Sequence, residues 1–99
     1  MIVVAGHIQT DPAHVEGLYE ALCALRPATL EEEGCVDYHF AIDDREKGAI
    51  LVYERWETQE SLTNHLSTLH VGKLLEKWGD KVSMDVVKFD AANPRGLMD

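Results

Sequence analysis

The sequence predicts one α+β domain with elements in the order β-α-β-β-α-β. Three observations predict it. Four stretches are β-branched, apolar or alternating: Ile2 to Gln9, Cys35 to Ile42, Ala49 to Trp56 and Val82 to Phe89. Two intervening stretches carry apolar residues at helical spacing. Turn formers punctuate the boundaries at Asp11-Pro12, Gly34, Gly48 and Gly79.

The first strand, Ile2 to Gln9, starts apolar and ends polar. Asp11 then offers an N-cap oxygen, and Pro12 suits the first helical position, where no N–H is needed. Val15, Leu18, Leu22 and Leu25 form one helical stripe, with Glu16 and Glu20 off it. Pro27 kinks or interrupts that helix, and the run from Thr29 to Glu33 adds a last turn before Gly34 stops it. In the second strand, Val36, Tyr38, Phe40 and Ile42 share one face, and Cys35, Asp37, His39 and Ala41 share the other. Charged residues from Asp43 to Gly48 make a hairpin connection into the third strand, Ala49 to Trp56. Thr58 caps a helix continued by Leu62, Leu66 and Leu69. A second short helix runs from His70 to Trp78, with Val71, Leu74, Leu75 and Trp78 apolar, and Gly79 ends it. Val82 to Phe89 is the last strand. Residues 91–99 contain Pro94 and Gly96 without periodicity, so they read as a tail after a domain of residues 1–90, or as an arm laid on a partner subunit.

This order is ferredoxin-like: an antiparallel sheet with its helices on one face. The other face keeps apolar side chains from the second and third strands. An uncovered apolar face predicts a partner, and the simplest is a second copy packed sheet to sheet.

Nine basic residues stand against eighteen acidic ones, a formal charge of −9. No cluster of Lys and Arg is available for phosphates, which argues against nucleic acid and against an anionic membrane surface. Cys23 and Cys35 lack the spacing of a zinc or redox motif and read as free thiols. The start, MIVVAGHIQT, turns polar too soon for a secretory signal, and no apolar run approaches a membrane span, so the expected compartment is the cytoplasm.

The stretches Glu33-Gly34-Cys35, Tyr38, Tyr53-Glu54-Arg55-Trp56, Asn64-His65-Leu66 and His70 stand in an order and spacing that resemble the antibiotic biosynthesis monooxygenase family. That family carries E-P-G-C, a tyrosine three residues on, E-x-W at the end of the third strand and A-H-L on the next helix. Here the proline is missing before Gly34, and Asn64 stands where alanine is frequent. The resemblance spans roughly residues 2 to 90. It implies a dimeric α+β barrel of two packed sheets, with a cavity in each subunit between sheet and helices. It implies one of several chemistries: cofactor-independent oxygenation of quinols or aromatic polyketides, haem degradation, or isomerisation of small metabolites.

His65 leads the candidate residues. It lies one turn after Leu62 and beside Leu66, at the border of the apolar stripe, and reads as a structural histidine or as a base in the cavity. His7 shares a strand face with Val3 and Ala5 and reads as a core histidine or as a second polar group in the pocket. Candidate substrate contacts are Asn64, Trp56, Trp78, Tyr53 and Phe40: an amide for an oxygen, rings for a planar ligand, a phenol for a hydrogen bond. Arg55, between Glu54 and Glu57, reads as a strand-end ion pair. His65 and His70 are five positions apart, off one helical face and without an evident carboxylate, so no metal site is expected. The KLLEKW segment lacks the histidine that holds iron in haem-degrading relatives, and no nucleotide or flavin motif is present, so no cofactor is expected.

The expected function is oxygenation of a small quinol or phenolic aromatic by dioxygen, with His65 or His7 as base. The alternatives are a proton-shuttling isomerase and a ligand-binding dimer without chemistry.

Overall fold

The computed structural model describes residues 1–99. Its strands are β1 (Ile2–Thr10), β2 (Cys35–Asp44), β3 (Ala49–Trp56) and β4 (Val82–Asp90). Helices α1 (Val15–Ala24) and α2 (Arg26–Leu30) follow β1, and α3 (Gln59–Leu66) and α4 (Leu69–Trp78) follow β3. The sheet runs β2-β3-β1-β4, every pairing antiparallel, which is the ferredoxin-like arrangement. Each helical crossover is broken in two. Pro27 sits in the first turn of α2 and starts a new helix after Leu25. The second break falls at Ser67-Thr68, where Thr68 is extended.

The local signals act as their chemistry requires. Asp11 accepts from the Ala13 N–H at 2.8 Å, but it caps a short 3-10 turn over Pro12–His14 rather than α1 itself. Thr58 accepts from the Ser61 N–H at 3.1 Å and caps α3. The helices bury Val15, Leu18, Leu22 and Leu62 against Ile2, Val4 and Ile8 of β1, Tyr38 of β2, and Ile50, Val52 and Trp56 of β3. No helix is long and apolar enough to cross a membrane.

One face assignment is corrected. The β2 register slips between Cys35 and Asp37, a bulge at Val36. Cys35 therefore pairs with Trp56 and packs against the core, while Val36 is exposed. Tyr38, Phe40 and Ile42 stay on the helix side, as their alternation predicts.

Gly6 is fixed by its neighbours. Its φ is +150°, and a Cβ there would strike the Asp85 carbonyl and come within 2.7 Å of the Val86 Cα. Both obstacles are backbone of the paired strand β4, so neither can swing away. Gly6→Ala is expected to lower stability by about 1–3 kcal/mol, the range for a strained backbone position. A urea midpoint indistinguishable from that of the parent chain would contradict this.

Candidate active site

A cavity of about 460 Å³ opens between the sheet and the helices. β1 supplies Val4 and Ile8, β2 Tyr38 and Phe40, β3 Val52 and Glu54, α3 Leu62, His65 and Leu66, and α4 Val71, Leu74 and Leu75. Met84, Val86, Val87 and Lys88 of β4 close the remaining side. Only Glu54, His65 and Lys88 break the apolar lining.

His65 is on the wall and is 3% exposed. The α3 register sets it there: Leu62 lies one turn earlier on the same side, and both are buried. Its Nδ1 lies 2.9 Å from Glu32 Oε1. A carboxylate accepts, so in the neutral ring the proton of that bond belongs on Nδ1 and Nε2 carries none; Nε2 has no hydrogen-bond partner in the chain. The ring is tilted against Trp56 at 4.7 Å between centroids and meets the Tyr38 ring edge-on at 5.2 Å. Burial holds the imidazole below the ordinary histidine value of 6.5, with the Glu32 hydrogen bond and charge opposing. The ring is thus disposed to be neutral, which a base requires.

Glu54 is the second polar group. It is buried, and its Oε1 accepts from the Trp56 indole N–H at 2.9 Å. Burial raises its pKa above the usual carboxylate value, despite that bond. Its pKa being higher folded than unfolded, it supports the fold below its ordinary pKa of 4.5 and costs stability as pH rises through the folded value. Glu54→Gln is therefore expected to match the parent in urea midpoint near pH 4, where both forms are mostly neutral, and to exceed it in mildly alkaline buffer. A Gln variant less stable than the parent in alkaline buffer would show that the buried carboxylate is not the liability described. Tyr38 is shifted in the same sense, its phenol pushed up by burial and then by Glu54.

The predicted site residues separate. His65 and Phe40 line the cavity. His7 does not: β1 pairs Ile8 with Ile50 and His7 with Leu51, placing His7 on the sheet face away from the helices, with Nε2 3.2 Å from Asp43. Tyr53 is on that same open face, stacked on His39 at 6.1 Å. Asn64 is exposed on the outer side of α3. Trp56 is fully buried behind His65 and supports it from the core without facing the cavity. Trp78 packs edge-on to His14 beside α1, its indole N–H buried and unpartnered. Arg55 pairs across the strands with Asp37, its register partner, at 2.6 Å; Glu54 is on the opposite face, and Glu57 lies beyond the end of the strand. That ion pair holds the Asp37 carboxyl below its ordinary range.

Glu54 and Glu32 are the residues that the sequence reading missed. Glu33, which directly precedes Gly34, is exposed; Glu32 turns inward and is 18% exposed at its side chain. The E-P-G spacing carried the signal, since its glutamate stands two residues before the glycine. Glu32 also overturns the premise that no carboxylate accompanies the two histidines. Its Oε2 lies 3.0 Å from His70 Nε2, and the ligand atoms of Glu32, His65 and His70 all fall within 4.8 Å of one another. These three could hold a divalent ion. Holding one would require His65 Nδ1 to give up the proton it shares with Glu32, and neither Glu32 nor His70 belongs to the cavity lining.

A sequence profile of the family described as antibiotic biosynthesis monooxygenase matches residues 1–77. An Escherichia coli K12 protein named "Probable quinol monooxygenase YgiN" is 26% identical over 100 residues, covering 91% of this chain and 92% of that protein. Among solved structures, a Deinococcus radiodurans protein named for the same family superposes with a TM-score of 0.86 at 22% identity, covering 100% of both chains. PA3566 of Pseudomonas aeruginosa superposes with a TM-score of 0.81 at 20% identity, covering 93% of this chain and 94% of that one. At these identities the structural likeness speaks for the fold. Taken with the sequence match over more than three quarters of its length, it leads to one assignment: the chain belongs to the antibiotic biosynthesis monooxygenase family.

Proposed function

We propose that this protein is a cofactor-independent monooxygenase of a small hydroquinone or phenol. The observation that carries the reading is His65: an imidazole on the wall of an apolar cavity, with Nδ1 bound to Glu32 and Nε2 free. The name of the Escherichia coli relative supports the quinol class.

The substrate hydroxyl gives its proton to His65 Nε2. The resulting anion passes an electron to dioxygen, and oxygen then bonds to a ring carbon. One oxygen atom stays on the ring and the other leaves as water. A hydroquinone plus dioxygen thus becomes a hydroxyquinone plus water, with every electron supplied by the substrate. His65 returns its proton to the departing oxygen. Glu54, also on the lining, has its pKa raised by burial and, in its protonated form, offers an O–H to a second substrate oxygen. Phe40 flanks the ring plane, and the apolar walls keep bulk water from the anion.

The bare sheet face is assigned to a second copy of the chain. It exposes Leu51 and Phe89, at 42% and 56%, beside the Asp37–Arg55 pair. Sedimentation at micromolar concentration checks this, and a monomer there removes it.

The test of function is aerobic turnover of a quinol panel by metal-free protein. Dioxygen uptake should accompany product formation, and labelled oxygen should appear in the product. No uptake above the buffer rate refutes the reading. Substrate conversion that proceeds equally without dioxygen replaces it with an isomerase.

A further inference from the structure

Three segments distant in sequence meet at one carboxylate. Glu32 lies in the turn after α2, His65 near the end of α3 and His70 in the first turn of α4. The carboxylate spends one oxygen on each ring: Oε1 on His65 Nδ1 at 2.9 Å and Oε2 on His70 Nε2 at 3.0 Å. Exposure rises along the chain of contacts, from 3% at His65 through 18% at Glu32 to 32% at His70.

We propose that Glu32 and His70 are positioning residues for His65, with Glu32 fixing the tautomer that presents Nε2 to the cavity and His70 holding Glu32 in the orientation that does so. A carboxylate with a single contact can rotate about its last bonds. A second N–H donor on the other oxygen removes that freedom, since both oxygens must keep their partners. Thr68 steadies the far end. Its hydroxyl donates to the His65 carbonyl at 2.7 Å and lies 3.3 Å from His70 Nε2. When His65 takes a proton at Nε2, the charge formed is met by Glu32, which does not itself need to be protonated. The groups facing the His65 ring are Glu32, His70, and the rings of Tyr38 and Trp56, the last bonded to Glu54.

This inference rests on the reading of His65 as a base, but its first test needs no substrate. Proton–nitrogen correlation spectra of the histidine rings, taken on the whole chain near neutral pH, report the tautomer directly. The expected result is a protonated Nδ1 and a bare Nε2 at His65. In Glu32→Gln, whose amide can donate as well as accept, the Nε2–H form should gain a comparable share. kcat should fall by at least about tenfold while KM stays within about threefold, because orientation rather than binding is lost. His70→Gln keeps an N–H for the carboxylate and should keep the tautomer; His70→Phe should not. An Nε2–H tautomer in the parent chain, or an unchanged tautomer in Glu32→Gln, overturns the proposal. An unchanged tautomer in His70→Phe removes the role of His70. If the variants fail to fold, the parent spectrum still decides the tautomer, with the shared Glu32 contact at His70 Nε2 read from the same spectrum. The expected tautomer together with absent dioxygen uptake would sink the oxygenase reading and leave the positioning roles standing.

Discussion

Replacing His65 by Gln is expected to reduce quinol-dependent dioxygen uptake by about 10²–10³-fold in kcat, the usual loss when a general base is removed. Gln is close in length and can still meet Glu32, so the wall of the cavity is retained while the basic nitrogen is lost. His7→Gln makes the contrast. His7 is on the opposite sheet face, 3.2 Å from Asp43, and its replacement should leave the rate within about threefold when assembly state is matched. The pH profile tests the same nitrogen. Burial depresses the folded pKa of His65, so the neutral base persists to lower pH than in a free histidine and is lost as pH falls through a value below 6.5. The acid limb of kcat/KM should therefore lie below 6.5 and vanish in His65→Gln. A variant that keeps more than about a tenth of the parent rate would remove His65 from the chemistry.

Trp56→Ala should be the most damaging core substitution. Trp56 is fully buried, lies edge-on to Tyr38 at 6.4 Å and backs the His65 ring. Its removal leaves a large void, costing about 3–5 kcal/mol. It also strips Glu54 of its indole donor, leaving a buried acceptor unpaired. Domains of this size hold roughly 5–15 kcal/mol in all, so a large share of the stability goes with one residue. The urea midpoint should fall by about 2 M at fixed protein concentration. Trp56→Phe separates the two contributions, since it keeps a ring but has no N–H for Glu54. A midpoint within about 0.5 M of the parent for Trp56→Ala would mean that the indole is not a keystone of this core.

Much of this molecule was legible in its sequence because the signals were local. Helical spacing in Val15, Leu18 and Leu22 depends only on the turn to which those residues belong. The Thr58 cap, the Pro27 break and the Gly48 turn depend on their immediate neighbours. The order of elements then restricts the sheet to few topologies, and the ferredoxin-like one is observed.

The site was legible only in part. β1 reads Ile-Val-Val-Ala-Gly-His-Ile, apolar at both parities, so its periodicity could not tell which face would meet the helices. That choice placed His7 on the open side, and pairing with β3 carried Tyr53 there as well. The Val36 bulge moved Cys35 by a register slip that no alternation pattern records. The Glu32 carboxylate meets imidazoles 33 and 38 positions away. Residue order thus determined the helices, the strands and their succession, since backbone preference is settled within a few neighbours. Which histidine lies in the hollow, and which acid grips it, was decided by tertiary packing, because the facing of a strand and the meeting of distant side chains exist only once the sheet and helices have closed on each other.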